Sequence, residues 1–308
     1  MHSEIDEFVR SLYPPHLFAP KSSDAPPPRG RKPFITLTWA QSLDAKISGP
    51  RNAQVTLSGP ASMQLTHRLR ELNDSILVGV GTVLNDNPSL TARIPALVPL
   101  RAQPVPVILD PALKTPADAK LVHNARTRIG HPPVICTTRP EPEWHDKNPT
   151  LAAAAKGSGE ARLVRVAKEP GSNRISLPAL FNNLQHSDAD PNPDPLLAES
   201  FGRSLMIEGG AAVLASFLSA TTTPTTDSDS DSESAAAAAA ARVVPLVDLV
   251  VITVAPVLIG PEGLSVPYPP GSSSSASGED RRRLPRLVPI ATKVLGNDTV
   301  FACKPVWD

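Results

Sequence analysis

SILVGVGTVLNDNPSLTAR, residues 75–93, is the stretch on which the fold turns. Ile76, Leu77, Val78 and Val80 form a short apolar run interrupted and closed by Gly79 and Gly81. A run of this length, bounded by turn residues, reads as a strand buried on both faces, as in a parallel sheet covered by helices. A hydroxyl (Thr82), a carboxylate (Asp86), an Asn-Pro turn and Arg93 follow at once. Polar groups just beyond such a strand stand where open α/β sheets bind their ligands. The stretch points to a small-molecule site.

Outward from it, strands and helices alternate. Phe34 to Trp39 reads as a strand running into Gln41–Lys46, and Ser58-Gly59-Pro60 opens a helix, with Ser58 as the expected cap. Leu65, Leu69 and Leu72 recur at i, i+4 and i+7, which gives that helix one buried stripe. Val105–Leu109, Val134–Thr138, Leu163–Ala167 and Ser204–Ile207 read as further strands. Pro178–Leu184 and Ala211–Leu218 read as helices, and the β-branched run Asp248–Val254 as a central strand. Lys293–Leu295 and Thr299–Cys303 flank Gly296-Asn297-Asp298 as a hairpin. The expected fold class is α/β, a mostly parallel sheet flanked by helices with an antiparallel C-terminal hairpin.

Bulk properties narrow the function. In 308 residues, 30 Lys and Arg balance 30 Asp and Glu, so nothing suggests a nucleic-acid or anionic-membrane partner. The two cysteines, Cys136 and Cys303, lie far apart without CxxC spacing, which argues against a disulfide framework and a structural zinc site. The seven histidines lack metal-ligand spacing, and no metal is expected. Glu4, Asp6 and Glu7 near the N-terminus argue against a secretory or transit signal, and a cytoplasmic protein is expected. Many of the 36 prolines fall in segments with little to bury. These set apart an N-terminal extension (1–33) and insertions at about 186–199, 220–241 and 268–286 within one domain spanning 34–308.

The residues alone leave their chemistry open. Glu208-Gly209-Gly210-Ala211 sits between a strand and a helix: a phosphate cradle, or a tight turn with a surface glutamate. Thr82 and Asp86, four apart, would share one side of a helix and could meet ribose hydroxyls, or simply cap it. Arg70 and Arg93 suit a phosphate or carboxylate, or solvent. Gly79-Val80-Gly81 lacks the third glycine of a dinucleotide fingerprint.

TWAQSLDAKIS (38–48), SGPAS leading to HRLREL (58–72), DSILVGVGTVLNDNPSLTAR (74–93), SLMIEGGAAVLASFL (204–218) and VDLVVITVAPVLIG (247–260) occur in this order. In content and order they resemble the riboflavin-biosynthesis reductases. The resemblance implies a dihydrofolate-reductase-like fold and an NADPH-dependent reduction of the ribose of a phosphoribosylaminopyrimidine to a ribityl chain. It implies that Ala40 lies on the nicotinamide side, that Thr82 and Asp86 contact NADPH, and that Gly209, Gly210 and Ala211 hold its phosphates. Leu90, Arg93 and Glu208 are implied as substrate contacts, with Arg70 of the HRLR motif beside them. Asp44 and Lys46 fall where the family has SLDGKI; together with Glu208 they are the expected catalytic groups. Ala45 replaces that motif's glycine, and alanine resists a positive φ. The Ser-, Pro- and Ala-rich insertions and the lack of a fused deaminase look like the fungal type. That type acts on 2,5-diamino-6-ribosylamino-4(3H)-pyrimidinone 5′-phosphate. The alternatives are the deaminated 5-amino-6-(5-phosphoribosylamino)uracil, or a dihydrofolate reductase. Family members commonly form homodimers.

Overall fold

In this computed structural model, which describes residues 2–19, 32–50, 53–94, 96–182, 201–222, 244–266 and 285–306, the alternation closes into one principal sheet. In chain order the elements that place the site are α1 (His2–Leu12), β1 (Phe34–Ser42), β2 (Lys46–Ser48), α2 (Pro60–Leu72), β3 (Ser75–Gly79) and α3 (Val80–Asp86). There follow β4 (Val105–Leu109), α4 (Lys120–Arg126), β5 (Val134–Thr137), α5 (Trp144–Lys147), α6 (Pro149–Ala153), β6 (Arg162–Arg165) and α7 (Leu177–Asn182). The last group is β7 (Ser204–Glu208), α8 (Ala211–Leu218), β8 (Thr221–Thr222), β9 (Val244–Pro245), β10 (Leu249–Ala255), β11 (Leu264–Ser265), β12 (Arg286–Leu295) and β13 (Asp298–Val306).

The nine-stranded sheet runs β12-β13-β10-β1-β7-β3-β4-β5-β6. Every pair from β10 to β6 is parallel, and β13 joins β10 antiparallel with β12 folded back as the outer edge. This is the mostly parallel sheet with a C-terminal hairpin that the sequence predicts. The hairpin strands are longer than the tip residues suggested, and a bulge between Pro289 and Ala291 breaks their register.

Period-two alternation decides which face each strand residue serves. In β7, Leu205 and Ile207 pack with Phe181, Phe201 and Phe217 on one face, while Met206 packs on the other with Leu65, Leu69 and Leu72 of α2. In β10, Val250 joins the first group and Leu249 and Val251 the second. A third cluster forms where Ile76 and Val78 of β3 meet Val83 of α3 and Leu121 of α4. Each fully buried aliphatic side chain contributes roughly 1.5–3 kcal/mol over leaving it in water.

Residues 2–19 of the expected N-terminal extension belong to this packing. Ile5, Phe8, Val9, Leu12 and Tyr13 lie against α2 and the sheet. The Tyr13 hydroxyl accepts from Thr36 Oγ1 at 2.8 Å, and its pKa is pushed up to about 12 by burial, against the opposing hydrogen bonds to Thr36 and Asn73. The helix expected over Pro178–Leu184 is described only to Asn182. The expected insertion at 186–199 and all but the ends of those at 220–241 and 268–286 lie outside the described residues.

Candidate functional site

Three neighbouring parallel strands, β1, β7 and β3, end at the same edge of the sheet. Their ends contribute Ala40, Glu208 and Gly79 to a cavity of about 1260 Å³. Its position past the carboxyl ends of parallel strands is where this class of sheet binds ligands.

Two strand–helix turns form one side. α3 starts at Val80 directly after Gly79, and α8 starts at Ala211 directly after Gly210. The turns touch: a Cβ on Gly79 would come within 2.8 Å of Val213 Cγ2, and one on Gly209 within 2.9 Å of Val213 Cβ. A Cβ on Gly210 would stand 3.8 Å from Thr82 Oγ1. Glycine is therefore a packing requirement at 79 and 209. The first backbone N–H groups of α3 and α8 are left without intrahelical partners, and both turns line the cavity. Thr82 and Asp86 line the same wall one helical turn apart, and burial raises the Asp86 pKa. Ala40, Thr82, Asp86, Gly209, Gly210 and Ala211 thus line one hollow.

At the other end, Arg70 on α2 reaches Glu208 at the tip of β7. Arg70 Nε donates to Oε1 at 2.7 Å and Nη2 to Oε2 at 2.6 Å, a bidentate pair. Burial opposes the Arg70 charge, but the Glu208 carboxylate outweighs it and the guanidinium pKa is raised. Arg70 Nη1 also donates to the Thr91 carbonyl at 3.3 Å, so one arginine ties α2, β7 and the 90–93 segment together. Arg70 and Glu208, both expected near substrate, prove to be each other's partner.

Leu90 and Arg93 do not line the cavity. Leu90 is buried with φ 51°, in the left-handed region. Arg93 is exposed beside Arg70, and partial burial followed by the Arg70 charge lowers its pKa. Leu90 thus supports the segment from within, since its side chain is buried in the cluster with Ile76 and Val83.

Asp44 and Lys46, expected as catalytic groups, also stand outside the cavity lining. The Asp44 carboxylate accepts from Ser42 Oγ at 2.6 Å and from the Ile259 and Gly260 amides at 3.1 and 2.7 Å. These bonds, Ser42 first, hold its pKa down to about 2. Lys46 Nζ donates to Ser265 Oγ at 3.1 Å, and β2 pairs with β11. A carboxylate this fully engaged is a staple between the β1–β2 turn and the 256–265 loop. The physical reason lies in the loop, which supplies amides from residues over 200 positions away.

His67, the first residue of the HRLR motif, joins the site although the sequence assigns it no role. It is 1% exposed, and its Nδ1 accepts the Arg93 backbone N–H at 3.1 Å. Its pKa falls to about 4 through burial, then the Arg70 and Arg93 charges, against Glu208 and the Thr91 carbonyl. Its place three residues before Arg70 was the available signal. Thr38, Ser58 and Thr66 add polar groups around the Arg70–Glu208 end.

The profile of the RibD C-terminal domain family matches residues 33–191. The 2,5-diamino-6-ribosylamino-4(3H)-pyrimidinone 5′-phosphate reductase of Candida glabrata is 30% identical over 249 residues, covering 78% of this chain and 82% of that one. The protein of the same name from Schizosaccharomyces pombe is 34% identical over 211 residues, covering 63% and 72%. Among solved structures, the Saccharomyces cerevisiae riboflavin biosynthesis reductase Rib7 superposes with a TM-score of 0.57 at 25% identity, over 89% of this chain and 90% of that one.

Proposed function

We infer the function of this chain from one premise: it belongs to the RibD C-terminal domain family. It is a fungal-type pyrimidine 5′-phosphate reductase of riboflavin biosynthesis, and it uses a reduced nicotinamide cofactor. The cofactor is proposed to be NADPH. The substrate is 2,5-diamino-6-ribosylamino-4(3H)-pyrimidinone 5′-phosphate, and the product carries the ribityl chain.

The observation that carries this reading is the meeting of the Gly79–Thr82 and Glu208–Ala211 turns on one cavity. A dinucleotide fits such a wall. The glycines let pyrophosphate approach backbone N–H groups, and Asp86 is a ready acceptor for ribose hydroxyls. When bound, the reduced nicotinamide supplies the hydride.

The protein's own contribution is positional. Ring opening of the ribosylamine moves a proton from the exocyclic nitrogen to the ring oxygen, leaving an imine carbon at C1′. Hydride adds to that carbon and the nitrogen takes up a proton. Holding the reacting atoms in register is worth several kcal/mol, up to roughly 10. Ala40, small and at the end of β1, leaves room for the nicotinamide ring. Glu208, oriented by both Arg70 N–H bonds, keeps its remaining lone pairs for ribose hydroxyls. Arg93 stands outside the cavity lining but beside Arg70, which does line it, and is assigned to a substrate phosphate reaching past that end. Asp44 and Lys46 maintain the loop that closes the β1 end.

Turnover is tested by following oxidation of the cofactor with the aminated and the deaminated pyrimidine phosphates, with NADPH and with NADH. NADPH oxidation with the aminated substrate is expected to be the fastest pair. Turnover of dihydrofolate at a comparable rate would overturn the assignment. We also propose a cytoplasmic homodimer. Val294, 65% exposed, and Ile290, 41% exposed, lie on β12, the outermost strand of the sheet among the described residues. Sedimentation should give twice the chain mass, and a monomer at micromolar concentration would exclude it.

A further inference from the structure

The buried imidazole beside the Arg70–Glu208 pair has no part in the chemistry above, yet it holds the segment that carries Arg93. We propose that His67 is a positioning residue for the reduction: by accepting the Arg93 backbone N–H on Nδ1, it sets the stance of residues 90–93 beside the Arg70–Glu208 end of the cavity. The inference rests on Arg93 being the phosphate anchor.

The geometry explains why the segment must be held. Leu90 is in the left-handed region at φ 51°, a conformation that is strained for a leucine. Left alone, the segment would relax. Three side chains prevent this at successive residues. Arg70 claims the Thr91 carbonyl, Gln103 claims the Ala92 N–H and C=O, and His67 claims the Arg93 N–H. His67 and Arg70 are three apart on α2, so a single helix face delivers two of them.

The setting also explains why the acceptor is an imidazole. Arg70, Arg93 and Glu208 are the charged groups around it. A carboxylate at this position would compete with Glu208 for Arg70 and break the bidentate pair. An uncharged acceptor leaves that pair intact while giving the Arg93 N–H a fixed partner. With Nδ1 accepting, the ring proton sits on Nε2.

The test uses the full chain with three substitutions, and varies each substrate at saturating levels of the other. His67→Leu should raise KM for the pyrimidine phosphate about tenfold or more while KM for the cofactor stays within about twofold. His67→Asn, which restores a neutral acceptor, should recover most of the loss. His67→Asp should not, despite its equal size. Equal impairment in the Leu and Asn variants, or a cofactor KM rising in step, would mean a structural role only and overturn the proposal. Arg93→Ala separates the two readings. An unchanged pyrimidine KM in Arg93→Ala would overturn the anchor and this proposal with it. A raised KM in Arg93→Ala beside wild-type values in His67→Leu would overturn this proposal alone. With both raised, the double variant should be no worse than Arg93→Ala, and multiplying effects would again refute a route through Arg93.

Discussion

Ala45 has φ 59°, so the position where the family motif has glycine does take up the left-handed turn that alanine resists. Its amide donates to the Ser42 carbonyl at 3.0 Å, which closes the turn that presents Asp44 to the 256–265 loop. Ala45→Gly should therefore raise stability by roughly 0.5–1 kcal/mol, the strain relieved less the added chain entropy. An unchanged or lower denaturant midpoint would contradict this. His67 governs a second residue-scale property. Its pKa of about 4 lies below the ordinary value of about 6.5, so its neutral form is favoured on folding. That contribution is complete above about pH 6.5 and is lost as pH falls toward 4, on the order of 2 kcal/mol in all. Asp44, held down to about 2, acts in a lower window, below about pH 4. Denaturation against pH should lose its upper slope in His67→Asn and keep the lower one. Persistence of the full slope in that variant would exclude His67 as its source. At this scale the sequence disclosed residue types well and partners poorly. Arg70 and Glu208 both stood out, but no local pattern tells that residues 138 positions apart bind each other.

Helix α2 shows what can and cannot be read of an element. Its Leu65, Leu69 and Leu72 stripe is local and periodic, and all three are buried as the spacing predicts. Its N-terminal cap is not local. Ser58 was the expected cap, but Gly59 occupies that position and the Asp298 carboxylate serves the helix start. Asp298 accepts from the Gly59 N–H at 2.7 Å and from Ser62 Oγ. The C-terminal hairpin thereby seats the helix that carries His67 and Arg70. Asp298→Ala should lower stability by about 1–2 kcal/mol, seen as a lower melting temperature, with Asp298→Asn intermediate. A melting temperature equal to wild type would remove this role from the hairpin tip. Helix α1 lies within the stretch expected as an N-terminal extension. Ile5, Phe8, Val9 and Leu12 follow helical spacing and belong to the core.

For the molecule as a whole, the ends of the 223–243 stretch are tied by the chain itself. β8 and β9 pair antiparallel, and the Leu246 amide donates to the Ala220 carbonyl at 3.0 Å. Replacing residues 223–243 by a two-residue turn should leave turnover unchanged, and shortening the loop should cost nothing in closure entropy. Lost activity in that variant would give the insertion a function. We propose that residues 34–308 form one reductase domain, with 2–19 packed on it as part of the same core. Truncation at residue 33 should then unfold the chain or lower its melting temperature sharply, and an unaltered melt would separate the two. The sheet order also governs synthesis. β1 emerges first from the ribosome among the described strands, yet its two neighbours are β7 and β10. At roughly 5–20 residues per second, the nascent Ile35 and Leu37 wait about ten seconds or longer for Leu249 and Val250. Pairing across such separations is intrinsically slow. Throughout that interval the sheet's future centre is an unsheathed apolar ribbon, and holding factors that shield nascent chains should matter more to yield than any surface residue.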